Sequence, residues 1–449
     1  MLAEMLGDVA NAAWPPIHNA RVASLAALIH QFDRTQWLAP DAIGAQQDRQ
    51  LAIVSRHLAA YVPAYRERLR AAGLDKRALD RTALADLPPL GRRDIQALGD
   101  AFFSAELPPS HGPTAMAQTS GSTGEPVRVA RTMVNQLLWN AGTVRYHLWH
   151  EPDFRVPLCA IRASTVPAQA FPAWGGVTGQ LFPTGPFLRI NNDLDVARQI
   201  ERIVEFGPAT LIVYPNNLAA ILDALEREGI GLPTIGRIRT IGETLQPDLR
   251  ARAEQQLAPV RDCYSSEEVG YIAIECPTGG LYHVMAETVI VEVVDDAGRP
   301  CPEGEIGHVL VTDLHNHASP LIRYAIGDMA EVGPPCPCGR GQPTLRRIVG
   351  RTRNMLLTPD GRCAWPLTGF HDFATIAPVI QYQLIQHRID AIEVRLVVAS
   401  PLDDEQETAL AALIRRSLGY RFALSFAYFP DRIPRGPNGK FEEFVNLVG

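Results

Sequence analysis

Apolar residues recur every three to four positions in some stretches of the chain and every second position in others, and the two periods set the expected elements. Residues 45–75 carry the helical period, interrupted at Pro63, which lacks a backbone N–H, with Gly73 as a stop. From about residue 190 helices and strands alternate. DLDVARQIERIVEFG predicts a helix ending at Gly207, and TLIVYP a short buried strand. NNLAAILDALEREG predicts a helix with an Asn cap and a Gly stop, and IRTIG another strand. This rhythm predicts an α/β domain with helices packed on a sheet. Between residues 281 and 332, TVIVEVVDDAGRP, GHVLVTDL and MAEVG predict a β-rich subdomain. Beyond about 352, IEVRLVVAS, DDEQETALAALIRRSLG and ALSFAYFP predict strand, capped helix and strand, a small α+β domain. The expected division is therefore 1–352, with 1–110 a helical lead-in, and 353–449.

Composition narrows the class. The 449 residues are 46% hydrophobic, enough for large cores and incompatible with a disordered chain. Forty-two Lys and Arg against 49 Asp and Glu leave a net charge of −7, which argues against nucleic acid as a partner. No window approaches the ~18 consecutive apolar residues of a membrane span. Glu4 and Asp8 stand where a secretory signal carries basic residues. Seven Cys at uneven spacing do not form a disulfide framework, so a cytoplasmic, reduced protein is expected.

The densest chemical signal is the run Thr119, Ser120, Gly121, Ser122, Thr123, Gly124, followed by Glu125-Pro126. Glycines let backbone N–H groups approach an anion, and hydroxyls add donors to phosphate oxygens. No Gly-Lys-Ser/Thr closes the run, so it is not a Walker loop, and by itself it reads equally as a surface linker. Downstream stand Gly242-Glu243-Thr244, Tyr264-Ser265-Ser266-Glu267-Glu268, Arg323-Tyr324-Ala325-Ile326-Gly327-Asp328, Gly350-Arg351-Thr352-Arg353 and Pro437-Asn438-Gly439-Lys440. In this order and at these separations the motifs resemble those of the adenylate-forming superfamily of acyl-CoA synthetases, peptide-synthetase adenylation domains and luciferases. The phenylacetate–CoA ligase branch, with its capsule-biosynthesis and coenzyme F390 synthetase-like members, is the most similar, from about residue 45 onward.

The resemblance implies a large adenylate-forming domain followed by a small mobile lid. It also implies a two-step reaction, in which a carboxylate attacks the α-phosphate of ATP and a thiol then displaces AMP. On the same basis Thr119–Gly124 holds the β- and γ-phosphates, and Arg128 supplies the charge of a lysine that relatives carry after the Pro. Glu268 coordinates Mg²⁺, with Glu267 the neighbouring candidate. Tyr264 lies against adenine, which Gly242, Glu243 and Thr244 line. Asp328 and Arg351 hold the ribose, Arg353 is the hinge, and Lys440 approaches the reacting carboxylate and α-phosphate. Tyr214, Pro215, Asn216 and Ser265 line the acid pocket, with Trp139, Tyr146 and Trp149 as further candidates or core aromatics.

Cys336-Pro337-Cys338 offers two thiolates to one ion, and Cys276 and His283 stand in the same β-rich region. Together they make a Cys₃His set suited to structural Zn²⁺; the alternative is reduced thiols in loops with an exposed His. His315 and His317 are expected to be structural or solvent-facing, because a carboxylate needs no general base. The leading expectation is an ATP- and Mg²⁺-dependent ligase joining an aryl or arylacetic acid to coenzyme A. A second is transfer to a carrier-protein thiol or an amine, because Asn354–Leu367 departs from the ligase pattern toward the capsule relatives. A third is a nucleotide- or zinc-binding relative without activity. Analogy with the branch also leaves a homodimer open.

Overall fold

The protein is described by a computed structural model covering residues 5–10, 14–118, 127–163, 166–351, 355–361, 363–364, 373–434, 441 and 443–448. It divides into two compact units, the first ending at residue 349 and the second carrying residues 350–449.

The first unit is organised by one twelve-stranded sheet. Beside the antiparallel edge strand Gln169–Phe171, five adjacent strands run parallel: Phe187–Asn191, Leu158–Arg162, Thr210–Val213, Arg237–Thr240 and Val260–Ser266. The order then continues through Gly270–Glu275, Tyr282–Val284, Thr344–Arg351, Tyr324–Val332, Ile306–Asp313 and Val289–Val294. The β-rich stretch is thus half of the same sheet, joined to the parallel half by the antiparallel pairing of Val260–Ser266 with Gly270–Glu275. Strand alternation separates two cores. Leu211 and Val213 pack with Ile203, Leu218, Leu222 and Leu249 from the helices Val196–Phe206, Pro215–Glu228 and Pro247–Gln256. Ile212 joins Val22, Ile29, Ala141 and Val144, from the helices Ala20–Thr35 and Met133–His150 on the opposite face.

Local chemistry explains most boundaries. The 45–75 period is two helices, Pro40–Tyr61 and Pro63–Ala71, broken where Pro63 begins the second. Asp195 caps Val196–Phe206 and Gly207 closes it at φ 63°. The Asn-capped helix starts earlier than expected: Pro215 takes the first helical position, where its fixed φ suits the turn. Its end is capped from outside, the Asn216 N–H donating to Glu243 Oε2 at 3.0 Å. The helical lead-in packs Leu51, Leu58, Tyr65 and Leu84 against Ile290, Leu314 and Ile322 of the sheet and its loops.

The second unit has a four-stranded sheet ordered Ala423–Tyr428, Ala391–Val398, Val379–Arg388, Phe444–Asn446. The helix Asp404–Leu418 buries Leu410, Leu413, Ile414 and Leu418 in a core with Leu384, Val394 and Phe444. Asp403 and Gln406 form its capping box and Gly419 its left-handed stop.

Candidate active site

The parallel strands Thr210–Val213, Arg237–Thr240 and Val260–Ser266 are in register, Val213 beside Thr240 and Thr240 beside Asp262. Their carboxyl ends therefore emerge side by side, the usual position of a ligand crevice in such a sheet. Tyr214, Pro215 and Asn216 leave the first, Gly242, Glu243 and Thr244 the second, and Tyr264 and Ser265 lie at the end of the third. Glu243 binds the first two segments together through its bond to the Asn216 N–H. Tyr214 is fixed by the Ala163 N–H, which donates to its hydroxyl at 3.3 Å.

Tyr264 is 8% exposed and donates its hydroxyl to Asp328 Oδ2 at 2.6 Å. Asp328 comes from the strand Tyr324–Val332, so this bond joins the two halves of the sheet. It follows Gly327 at φ 86°, a conformation open to glycine and strained for other residues. Four residues earlier on that strand, the Tyr324 hydroxyl donates to Glu268 Oε1 at 3.4 Å. Arg92 Nη1 lies 3.9 Å from the same oxygen. Of the two adjacent glutamates, Glu268 is the buried one, whereas the Glu267 side chain is 66% exposed. Tyr264, Glu268 and Asp328, separated by up to 64 residues in sequence, are thus joined through Tyr324 and its strand.

Glu268 borders a cleft of about 540 Å³, counting its open mouth, together with Arg131, Trp139, Tyr271 and Asp313. Burial pushes the Asp313 carboxyl up to about 6, although the N–H groups of His315 and Asn316 donate to it. Deeper in, Arg145 pairs with Glu287 at 2.8 Å, and this neighbour holds the Glu287 carboxyl below its ordinary range against its burial. Neither Arg131 nor this cleft was marked by the motifs; an arginine five positions past Pro126 has no distinctive local pattern. Arg128, the expected substitute for the family lysine, has a half-exposed guanidinium that pairs with Asp100 at 3.3 Å over Phe103. Charge attraction to an exposed carboxylate and ring stacking direct it there.

The remaining candidates divide. Ser265 opposes Tyr271 where the strand register shifts. Tyr146 is a core aromatic, 2% exposed beneath the Arg239 guanidinium, and Trp149 packs edge-on against His283. Arg351 ends the strand Thr344–Arg351 and belongs to the second unit. Thr119, Ser120, Gly121, Ser122, Thr123, Gly124, Arg353 and Lys440 lie outside the described residues.

Cys276, His283, Cys336 and Cys338 form one cluster, their ligating atoms all within 4.8 Å of one another. Cys276 and Cys336 sulfurs are 3.7 Å apart, and Cys338 Sγ lies 3.4 Å from His283 Nε2. A tetrahedron with Zn–S bonds of ~2.3 Å has edges of roughly 3.8 Å, so the four residues fit that ion. His283 is fully buried in the strand Tyr282–Val284, which removes the alternative of an exposed histidine. His315 donates its Nε2–H to the Glu287 carbonyl at 2.9 Å, and His317 packs between His57 and His111 at 4.9 and 4.4 Å. Burial keeps both toward the neutral form, a structural role. No helix among the described residues is long and apolar enough to cross a membrane.

The chain has recognisable relatives. The family described as AMP-binding enzyme matches residues 20–316, and the CapK C-terminal domain matches residues 357–446. A phenylacetate-coenzyme A ligase of Thermus thermophilus is 24% identical over 91% of this chain and 98% of its own length. Protein CapK of Staphylococcus aureus is 27% identical over 56% of this chain and 55% of its own. Among solved structures, 2-hydroxyisobutyryl-CoA ligase in the postadenylation state superposes with a TM-score of 0.70, at 17% identity, over 93% of this chain and 92% of that one. The shared fold extends over both units, and one family's pattern spans more than half of the sequence: the chain belongs to the AMP-binding enzyme family.

Proposed function

We propose that the protein activates a carboxylic acid with ATP and passes the acyl group to the thiol of coenzyme A. The observation that carries this reading is the Tyr264–Asp328 bond beside the Tyr324–Glu268 contact, at the carboxyl ends of the parallel strands. In this reading Tyr264 faces the adenine, with Gly242–Thr244 along its edge, and Asp328 accepts bonds from the ribose hydroxyls once the nucleotide displaces the tyrosine hydroxyl. Glu268 holds Mg²⁺, which offsets phosphate charge as the carboxylate approaches. Lys440 and Arg351 arrive from the second unit, whose movement as a lid between the half-reactions is part of the proposal. Tyr214, Pro215, Asn216 and Ser265 bound the acid.

An aryl or arylacetic acid is favoured by the aromatic Tyr214 and by the names of the phenylacetate-coenzyme A ligases that resemble the chain. The match of residues 357–446 to the CapK C-terminal domain names no acceptor, and transfer to a carrier-protein thiol or an amine is the second reading that product analysis separates. A screen of ATP–pyrophosphate exchange across aryl, arylacetic, fatty and amino acids tests the first step. One acid class is expected to drive exchange well above the others. Product analysis with coenzyme A, carrier protein and amines then identifies the acceptor. Absence of exchange with every acid refutes the reading.

We also propose that the Cys276–His283–Cys336–Cys338 cluster holds a structural Zn²⁺. Four protein ligands leave no open position for catalysis. Protein prepared without chelator is expected to carry about one zinc ion per chain, and Cys336→Ser well under half as much with a lower melting temperature. A metal-free wild type with full stability would remove the proposal.

A further inference from the structure

We infer that Arg131 is the cation that grips the β- and γ-phosphate oxygens of the nucleotide and the pyrophosphate they become. The inference deepens the proposed function and rests on nucleotide binding beside Glu268. Adenylation forms a bond from a carboxylate oxygen to the α-phosphorus and breaks the bond from that phosphorus to its bridging oxygen. The electron pair leaves with pyrophosphate, so no proton need move, and what the site must supply is positive charge at the leaving oxygens.

No lysine follows Pro126, where Val127 stands, and Arg128 is half exposed beside Asp100 and does not line the cleft. Arg131 lies on the same strand, Arg128–Thr132, which leads directly out of the glycine and hydroxyl run. Its side chain is 15% exposed and borders the cleft that Glu268 also lines. The guanidinium stacks over Trp139, 4.6 Å from the ring centroid. That indole is held in turn by Gly270, at φ 87°, where a Cβ would sit 3.1 Å from the ring. A stacked guanidinium is pre-oriented, and its planar fork suits phosphate oxygens.

The guanidinium is also under-used. Among the described residues its ion-pair partner is Glu267, through Nη2 at 3.2 Å, a carboxylate two-thirds exposed and able to turn to solvent at little cost, while the Asp313 carboxyl in the same cleft feels its charge. Arg131 Nε is buried without a hydrogen-bond partner among the described residues. A donor left in that state costs free energy that an incoming anion recovers. The position next to the buried Glu268, with Tyr264 and Asp328 bonded to each other at the nucleoside end, assigns Arg131 to the far phosphates.

The test is calorimetric titration of the full chain with Mg²⁺ and α,β-methylene-ATP, and separately with AMP. Arg131→Ala is expected to weaken the triphosphate by about 10- to 100-fold, as for loss of a charge-assisted phosphate contact, and AMP by less than about twofold. Arg131→Lys should recover part of the loss, and Arg131→Gln, which keeps a side chain over Trp139, should behave as the alanine variant. Equal weakening of both nucleotides, the mark of a structural role, overturns the inference; so does unchanged triphosphate affinity. Wild-type protein that binds both nucleotides yet exchanges no pyrophosphate with any acid, while the Arg131 variants lose only the triphosphate, would remove acid activation and leave this assignment standing.

Discussion

Glu268→Gln is expected to lower ATP–pyrophosphate exchange by about 10²- to 10³-fold, the several kcal/mol that a correctly held metal contributes at a phosphoryl centre. The substitution removes one negative charge and one hard oxygen ligand but keeps the shape of the side chain. Its amide oxygen can still accept from the Tyr324 hydroxyl, the contact that seats Glu268 at 3.4 Å. The melting temperature should therefore change little, which separates a lost metal ligand from a lost fold. The apparent Mg²⁺ requirement should rise, because a neutral amide oxygen binds the ion less strongly than a carboxylate. Glu267→Gln should leave exchange within about threefold of wild type, as its carboxylate faces solvent. Exchange by Glu268→Gln at close to the wild-type rate would show that the buried glutamate only braces the Tyr324 strand.

Lys440→Ala is expected to be as damaging to the first half-reaction and almost silent in the second. The proposed lysine stabilises charge at the α-phosphate and bridging oxygen while the mixed anhydride forms, an effect on the order of 10²–10³-fold for one oriented donor. Once the adenylate exists that charge has gone, so conversion of supplied acyl-adenylate to thioester should stay within about threefold of wild type. The position is reached from two anchored points of the second unit. Ile433 is buried with its N–H donated to Gln381 Oε1, and Phe444 is buried in the core at the start of the last strand. A melting temperature equal to that of the wild type checks that the variant folds. Equal loss in both half-reactions would refute the assignment.

The site was legible in the sequence to different depths. Tyr264, Glu268 and Asp328 could be named because each stands within a short run whose order along the chain is shared with relatives. Their meeting does not follow from strand order, since three strands stand between Val260–Ser266 and Tyr324–Val332 in the sheet; the Tyr264–Asp328 bond is a tertiary contact made across them. Motif register favours Glu268 over Glu267, and the tertiary structure adds the burial that separates them, because neighbouring residues at a bend differ only in direction. Arg128 and Arg131 raise the same difficulty. Both are arginines on one five-residue strand, and only the positions of Asp100, Trp139 and Glu267 separate an exposed pair from a cleft-lining cation.

Local chemistry written in the chain determined where helices and strands begin and stop: Pro63 and Pro215 start helices, Asp195 and Asp403 cap them, and Gly207, Gly229 and Gly419 end them. These effects act over a few residues and so are visible in any window. Long-range packing decided the rest. It merged the β-rich stretch with the parallel strands into one sheet, and it gave the helix at Pro215 a cap from Glu243 rather than from an asparagine. It also brought Cys276 within 3.7 Å of Cys336 across 60 residues and set Arg131, not Arg128, in the lining of the cleft. Such contacts are set by which apolar faces must be buried together, and that choice depends on the whole chain at once.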